Sequence, residues 1–90
     1  MVTLQYIEGV TSNNKAFVVA MNQDGSKFLI QTQLGIRSYR TVLETDDYDE
    51  AVSRFDKAEK LRKKSGHKYR KFVRRADYSS NTQSEFIEVV

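Results

Sequence analysis

The spacing of apolar residues changes once along this chain, and that change limits the folds it can adopt. In the first half, apolar residues alternate with polar ones or form short β-branched and aromatic runs, as in Val2-Thr3-Leu4-Gln5-Tyr6. From Tyr48 onward they recur at intervals of three and four residues. The first pattern predicts β-strands and the second predicts an amphipathic helix. The order of elements is therefore that of an α+β protein.

Turn residues divide the first half of the chain into four predicted strands. The Asp24-Gly25 pair suits the positive φ values of a tight hairpin turn, so the segments on either side of it should pair antiparallel. The predicted strands cover residues 2–6, 16–21, 27–32 and 38–43, with a short closing strand at 85–90. We therefore expect an antiparallel sheet of four to five strands.

The 3–4 spacing places one apolar face on a helix of about 17 residues. Its members are Tyr48, Ala51, Val52, Phe55, Ala58 and Leu61. Asp47 and Glu50 have capping-box-like spacing, and Ser65-Gly66 is a natural stop. We expect this amphipathic helix to pack on one face of the sheet.

Size and composition restrict the class of protein further. Ninety residues with 39% apolar side chains suffice for one domain, which we expect to span residues 1–90, and a multi-domain enzyme is excluded. Cysteine is absent, which excludes a disulfide framework. No apolar run approaches the roughly 20 residues of a membrane span, so we expect no membrane partner and a cytoplasmic location.

Positive charge is concentrated in one segment of the chain. Between Arg54 and Arg75 there are eleven Lys and Arg residues against two acids, whereas the whole chain carries a net charge of only +3. Helix-dipole complementarity explains the bases at the helix end, but not those that follow it. The excess indicates a polyanionic partner, and the alternative is a solvated face that keeps the protein soluble.

Aromatic residues alternate with these basic residues. Tyr69, Phe72 and Tyr78 lie among the Lys and Arg of the segment, a pattern suited to phosphate neutralisation combined with base stacking. Alternatively, Tyr69 and Phe72 anchor the segment to the sheet. In that case the intervening basic side chains project outward.

The sequence offers little for catalysis or for a cofactor. His67 is the single histidine, the four glycines are isolated, and the acids near Asp47 lack the ligand spacing of a calcium loop. We therefore expect no enzyme activity, no metal and no cofactor.

Several segments, taken in order, resemble the WGR domain, a small sheet-and-helix module found in nuclear poly(ADP-ribose) polymerases and in bacterial proteins. They are Asn14-Lys15-Ala16-Phe17, Asn22-Gln23-Asp24-Gly25, the helix pattern from Tyr48 to Phe55, Lys64-Ser65-Gly66-His67-Lys68-Tyr69, and Glu85-Phe86-Ile87-Glu88-Val89. The resemblance spans nearly the whole chain and implies a WGR-like topology.

The chain departs from that family at the name-giving tripeptide. Where the family has Trp-Gly-Arg, this chain has Leu34-Gly35-Ile36-Arg37. In the polymerases the domain contacts DNA at a break, with the Trp packing on an exposed sugar or base. Leucine lacks an extended π-face, so the resemblance leaves end recognition open and implies phosphate binding. The polymerase catalytic domain has no counterpart here, so no ADP-ribosyl transfer is implied.

The sequence thus predicts a non-catalytic nucleic-acid-binding domain, with DNA favoured over RNA and little sequence preference. The alternative is a protein-interaction or regulatory adaptor module whose same basic face docks an acidic protein surface. The predicted contact residues are Arg37, Arg40, Lys63, Lys64, Lys68, Arg70, Lys71, Arg74 and Arg75.

Overall fold

A six-stranded antiparallel sheet carries one helix on one of its faces. The computed structural model describes residues 1–74 and 86–89. The elements are β1 (Val2–Val10), β2 (Ala16–Asp24), β3 (Lys27–Leu34), β4 (Arg40–Thr45), α1 (Tyr48–Lys64), β5 (Lys68–Arg74) and β6 (Phe86–Val89). The strand order is β4-β3-β2-β1-β5-β6, so the helix connects an outer strand to one near the other edge. The α+β class is confirmed.

The expected four to five strands were too few, because β5 lies in the basic segment after the helix, where no strand was predicted. Residues 68–74 read Lys-Tyr-Arg-Lys-Phe-Val-Arg, and the dense charge hides an alternation of period two. The sheet directs Tyr69, Lys71 and Val73 towards the helix side, and Lys68, Arg70, Phe72 and Arg74 towards the opposite face, here called the open face. The predicted basic segment is therefore divided between two faces.

The predicted hairpin between β2 and β3 is confirmed. Asp24 pairs with Lys27, which leaves Gly25 and Ser26 as the two-residue turn. Gly25 has φ +61° while Ser26 does not have a positive φ, as in a type II′ turn. The hairpin fixes the register of both strands.

Helix α1 covers β2, β3 and β4. Its Phe55 side chain is fully buried, together with Ile7 of β1, Met21 of β2 and Ile30 of β3. Asp47 caps the helix as predicted: its Oδ1 accepts hydrogen bonds from the backbone N–H groups of Asp49 (2.9 Å) and Glu50 (3.3 Å). No helix in the described part of the chain is long and apolar enough to cross a membrane.

β1 and β5 approach closely at Gly9, which pairs with Tyr69. A methyl group in place of the Gly9 hydrogen would lie 2.6 Å from the Tyr69 Cα and closer still to the Lys68 carbonyl oxygen. Because no real side chain fits there, glycine is required for the sheet to continue from β1 into β5.

The open face carries a hydrogen-bonded ladder across the first four strands. The Thr3 hydroxyl donates to Asn22 Oδ1 (2.6 Å), the Asn22 amide donates to Gln31 Oε1 (2.6 Å), and the Gln31 amide donates to the Thr41 hydroxyl (3.0 Å). Asn22 is only 6% exposed, so these bonds satisfy a polar side chain that has little access to water.

Candidate functional site

The turn after helix α1 brings the side chains of Arg62 and His67 close to the Phe17 ring. The N–H of Gly66 donates to the Lys63 carbonyl (3.1 Å) and the N–H of His67 donates to the Arg62 carbonyl (3.0 Å), the two bonds of a Schellman motif. This turn places Arg62 and His67 on the same side of the chain, where both contact Phe17. The His67 ring centroid lies 5.7 Å from that of Phe17, and the Arg62 Cζ lies 6.0 Å from the same ring.

The connection between β3 and β4 faces this turn and is fixed by three hydrogen bonds. The Gly35 N–H donates to the Ala16 carbonyl (2.7 Å), the Arg37 N–H donates to the Leu34 carbonyl (3.3 Å), and the Gln33 amide donates to the Arg37 carbonyl (2.7 Å). Gly35 adopts φ +62°, which favours glycine. The loop thus presents Arg37 from a rigid backbone.

A groove of about 390 Å³ separates the loop from the helix end, and we call it the cationic groove. Its lining combines three arginines, six further polar residues and three apolar residues, and includes no carboxylate. These residues are Arg37, Arg40 and Arg62, then Thr11, Thr32, Gln33, Ser38, Ser65 and His67, then Phe17, Leu34 and Leu61. Guanidinium and hydroxyl groups without neighbouring carboxylates have the hydrogen-bond donors and the charge that suit an anion.

Arg62 is the most desolvated cation of the groove. Burial lowers the pKa of its guanidinium from the ordinary value, which means that the charged form is held in an unfavourable environment. Its Nη1 donates to the Ala58 carbonyl at 3.4 Å. Within residues 1–74 and 86–89, no carboxylate lies within 4 Å of Arg62, Arg37 or Arg40. An anion bound here would supply the missing counter-charge.

His67 connects the groove to the loop between β1 and β2. Its Nδ1 accepts a hydrogen bond from the Ser12 backbone N–H (3.2 Å). The loop itself is stabilised by the Thr11 hydroxyl, which accepts from the N–H groups of Asn13 (3.2 Å) and Lys15 (3.1 Å).

Of the predicted contact residues, Arg37 and Arg40 lie in the cationic groove. Lys63 and Lys64 are in the last helical turn, and Lys63 lies on the flank that faces Tyr69. The others lie on β5 except Arg75, which is outside the described residues. The structure thus gathers part of the predicted set and separates the rest.

Three of the four β5 cations, Arg70, Lys71 and Arg74, make contacts within the protein. Arg70 donates two hydrogen bonds to Glu88 (2.7 and 2.9 Å), Arg74 Nε donates to the Thr3 carbonyl (2.8 Å), and Lys71 Nζ lies 3.0 Å from Glu59 Oε1. Tyr69 is an anchor, because its hydroxyl donates to Glu59 (3.1 Å). Phe72 lies on the opposite face, and Tyr78 lies outside the described residues.

Sequence reasoning missed Arg62 as a site residue, because dipole complementarity already explained a base at the helix end. The signal that could have found it is the position of Arg62 and His67 on either side of Gly66, since a Schellman turn brings those two positions together.

Within the described ranges, no group of three or more His, Cys, Asp or Glu side chains converges to hold a metal ion. No protein-family model, curated protein or solved structure shows significant similarity to this chain.

Proposed function

We propose that this chain is a non-catalytic nucleic-acid-binding domain of WGR-like architecture that contacts DNA phosphates through the cationic groove. The observation that carries the proposal is the convergence of Arg37, Arg40 and Arg62 from two distant parts of the chain around a space with no carboxylate in its lining. Guanidinium groups bind phosphate oxygens through paired hydrogen bonds, and neighbouring hydroxyls add further donors.

Desolvation of Arg62 supports this assignment over a solvated face that serves solubility alone. Arg62 is half-buried, and partial removal of a guanidinium from water without a carboxylate partner costs free energy that a cation serving solubility alone need not incur. The fixed β3–β4 loop and Schellman turn hold the groove in place before a ligand arrives. A preorganised site loses less conformational entropy on binding.

The groove has no means of reading a base sequence. Its donors suit phosphate and sugar oxygens, so binding to different sequences should be similar in strength. The protein-interaction alternative uses the same cations against an acidic protein surface, and the experiment below separates the two.

The test is a fluorescence-anisotropy titration of random-sequence duplex DNA at about 50 and about 200 mM salt. If each of the three arginines contacts one phosphate, the logarithm of affinity falls with the logarithm of salt at a slope of about −3. Arg37→Ala should make this slope shallower by about 0.9. Arg54→Ala is the matched control, because Arg54 is an exposed helical arginine that does not line the groove.

Three outcomes would count against the proposal. The first is the absence of DNA binding at low salt, and the second is DNA binding that salt does not weaken. The third is an equal loss of DNA affinity in Arg54→Ala and Arg37→Ala. Retention of an acidic protein from nuclease-treated lysate, combined with no DNA binding, would instead support the adaptor function.

A further inference from the structure

The open face of the sheet contains a hollow of about 220 Å³ with aromatic walls, which we call the aromatic hollow. Tyr6, Tyr39 and Phe86 line it, and Val18 and Ala20 of β2 lie beneath. The Tyr6 and Phe86 rings have centroids 5.1 Å apart and are inclined at 80°, so the edge of one ring packs against the face of the other. Tyr39 supplies a third ring from the chain just before β4 and is 51% exposed.

The hollow also has a negatively charged edge. Glu8 lines it together with Thr3, and the cation that adjoins it is Arg74, whose Cζ lies 5.0 Å from the Phe86 ring centroid and whose Nε donates to the Thr3 carbonyl. Arg70 lies directly opposite Glu8 across the β1–β5 pair, yet its guanidinium is bonded to Glu88. In the described part of the chain, no cationic group lies within 4 Å of the Glu8 carboxylate.

We propose that the aromatic hollow binds a quaternary ammonium group. Aromatic rings attract cations through the negative potential of their faces, and an alkylated ammonium gains most because it is weakly hydrated. The exposed Tyr39 ring, the Tyr6–Phe86 pair and a carboxylate at the edge offer such a group the chemistry that recognises it. The apolar floor of Val18 and Ala20 accommodates its methyl groups.

A planar base is a poorer occupant of this hollow. Tyr6 already stacks on Phe72 with centroids 4.9 Å apart and an inclination of 18°, which occupies one face of each ring. The Phe72 ring has the Arg70 guanidinium 5.2 Å from its centroid. A carboxylate at the edge repels the phosphate that accompanies any nucleotide. This site is therefore separate from the cationic groove and does not depend on the function proposed for it.

The test is an NMR titration of the full chain with choline, compared with its neutral isostere 3,3-dimethylbutanol. We expect choline to shift the ring resonances of Tyr6, Tyr39 and Phe86, and the isostere to have much weaker effects. A parallel titration with Nε-trimethyllysine tells whether the group is also accepted on a side chain. Binding of either cation supports the proposal and indicates whether the source is a small molecule or a modified protein.

Variants test which residues of the aromatic hollow bind choline. Tyr39→Ala should weaken choline binding roughly 3- to 30-fold, whereas Tyr39→Phe, which keeps the ring, should retain it. Glu8→Gln should also weaken it. Tyr48→Ala removes an equally exposed tyrosine outside the hollow and should have no effect. Equal binding of the isostere, no response to either cation, or an unaltered affinity in Tyr39→Ala would overturn the proposal.

Discussion

The backbone N–H of His67 donates to the carbonyl oxygen of Arg62 at 3.0 Å, and this bond is what brings their side chains together against Phe17. It forms because Gly66, between them, adopts φ +76° and reverses the chain. A feature that ends a helix thus also builds one wall of the cationic groove. The geometry of the groove consequently depends on a residue that does not line it.

Substitution of Gly66 by alanine should affect both stability and binding. Space is available for the added methyl group, so the cost arises from the positive φ and amounts to about 1–2 kcal/mol in the free energy of unfolding. Urea denaturation measures this loss, and DNA titration should show weaker binding by the folded variant. Gly66→Asn is the control, because asparagine tolerates this backbone conformation and should cost less. Equal losses for the two variants would contradict the argument.

Replacement of Arg62 should separate binding from stability. Arg62→Gln removes a desolvated charge that has no carboxylate within 4 Å among the described residues, so the free energy of unfolding should not fall. DNA affinity at low salt should fall about tenfold or more, because a charge-assisted hydrogen bond is lost.

Arg70→Gln is the comparison for Arg62→Gln. A phosphate that approached Arg70 would first have to displace Glu88, so this variant should bind DNA nearly as well as the parent chain. A larger loss of affinity in Arg70→Gln than in Arg62→Gln would place the phosphate contacts on β5 instead of the groove.

The fold was largely predictable because every element except β5 carries a local sequence signal. Alternation at Val2–Tyr6, the hairpin turn at Gly25-Ser26 and the cap at Asp47 depend on neighbours in sequence. β5 was missed because its inward positions include a charged residue, Lys71. Its ammonium group is compensated on the helix side by the Glu59 carboxylate, from twelve residues earlier in the sequence. No local pattern shows such a partner.

The candidate site was less predictable for the same reason. Arg37 and Arg40 were identified from their charge, but their meeting with Arg62 depends on the helix packing across the sheet. The basic block of β5 looked like a binding surface because its partners Glu59 and Glu88 are distant in sequence. A count of charges does not show which of them are already paired.

Gly9→Ala should be severely destabilising, because the added methyl group would collide with the backbone of β5 at Lys68 and Tyr69. Backbone atoms cannot rotate away as a side chain can, so the strands must separate. We expect a loss of about 3 kcal/mol or more in the free energy of unfolding, measured by urea denaturation. The adjacent exposed residue provides the control: Glu8→Ala should change stability by less than about 0.5 kcal/mol. A stable Gly9→Ala variant would mean that β1 and β5 do not pair in this register.

Tyr69 should make the stability of the protein depend on alkaline pH. Its pKa is raised above the ordinary value of 10.0 by burial, and further by the charge of Glu59 and the hydrogen bond to it. The folded state therefore holds this proton at pH values where the unfolded chain has lost it. The associated stability is fully present below pH 10.0 and is lost as the pH rises through the higher folded-state pKa.

Tyr69→Phe removes both the hydrogen bond and the titration. At neutral pH it should lower the free energy of unfolding by about 1 kcal/mol, because Glu59 loses one of its two donors. From about pH 9 to about pH 11 its stability should decline less steeply than that of the parent chain. Tyr48→Phe serves as the control, since its exposed ring makes no contact with Glu59, and it should keep the parental slope. Tyr6 is present in every variant and contributes its own raised pKa equally, so the difference in slope isolates Tyr69. Identical slopes for Tyr69→Phe and the parent chain would show that this hydroxyl titrates alike in the folded and unfolded states.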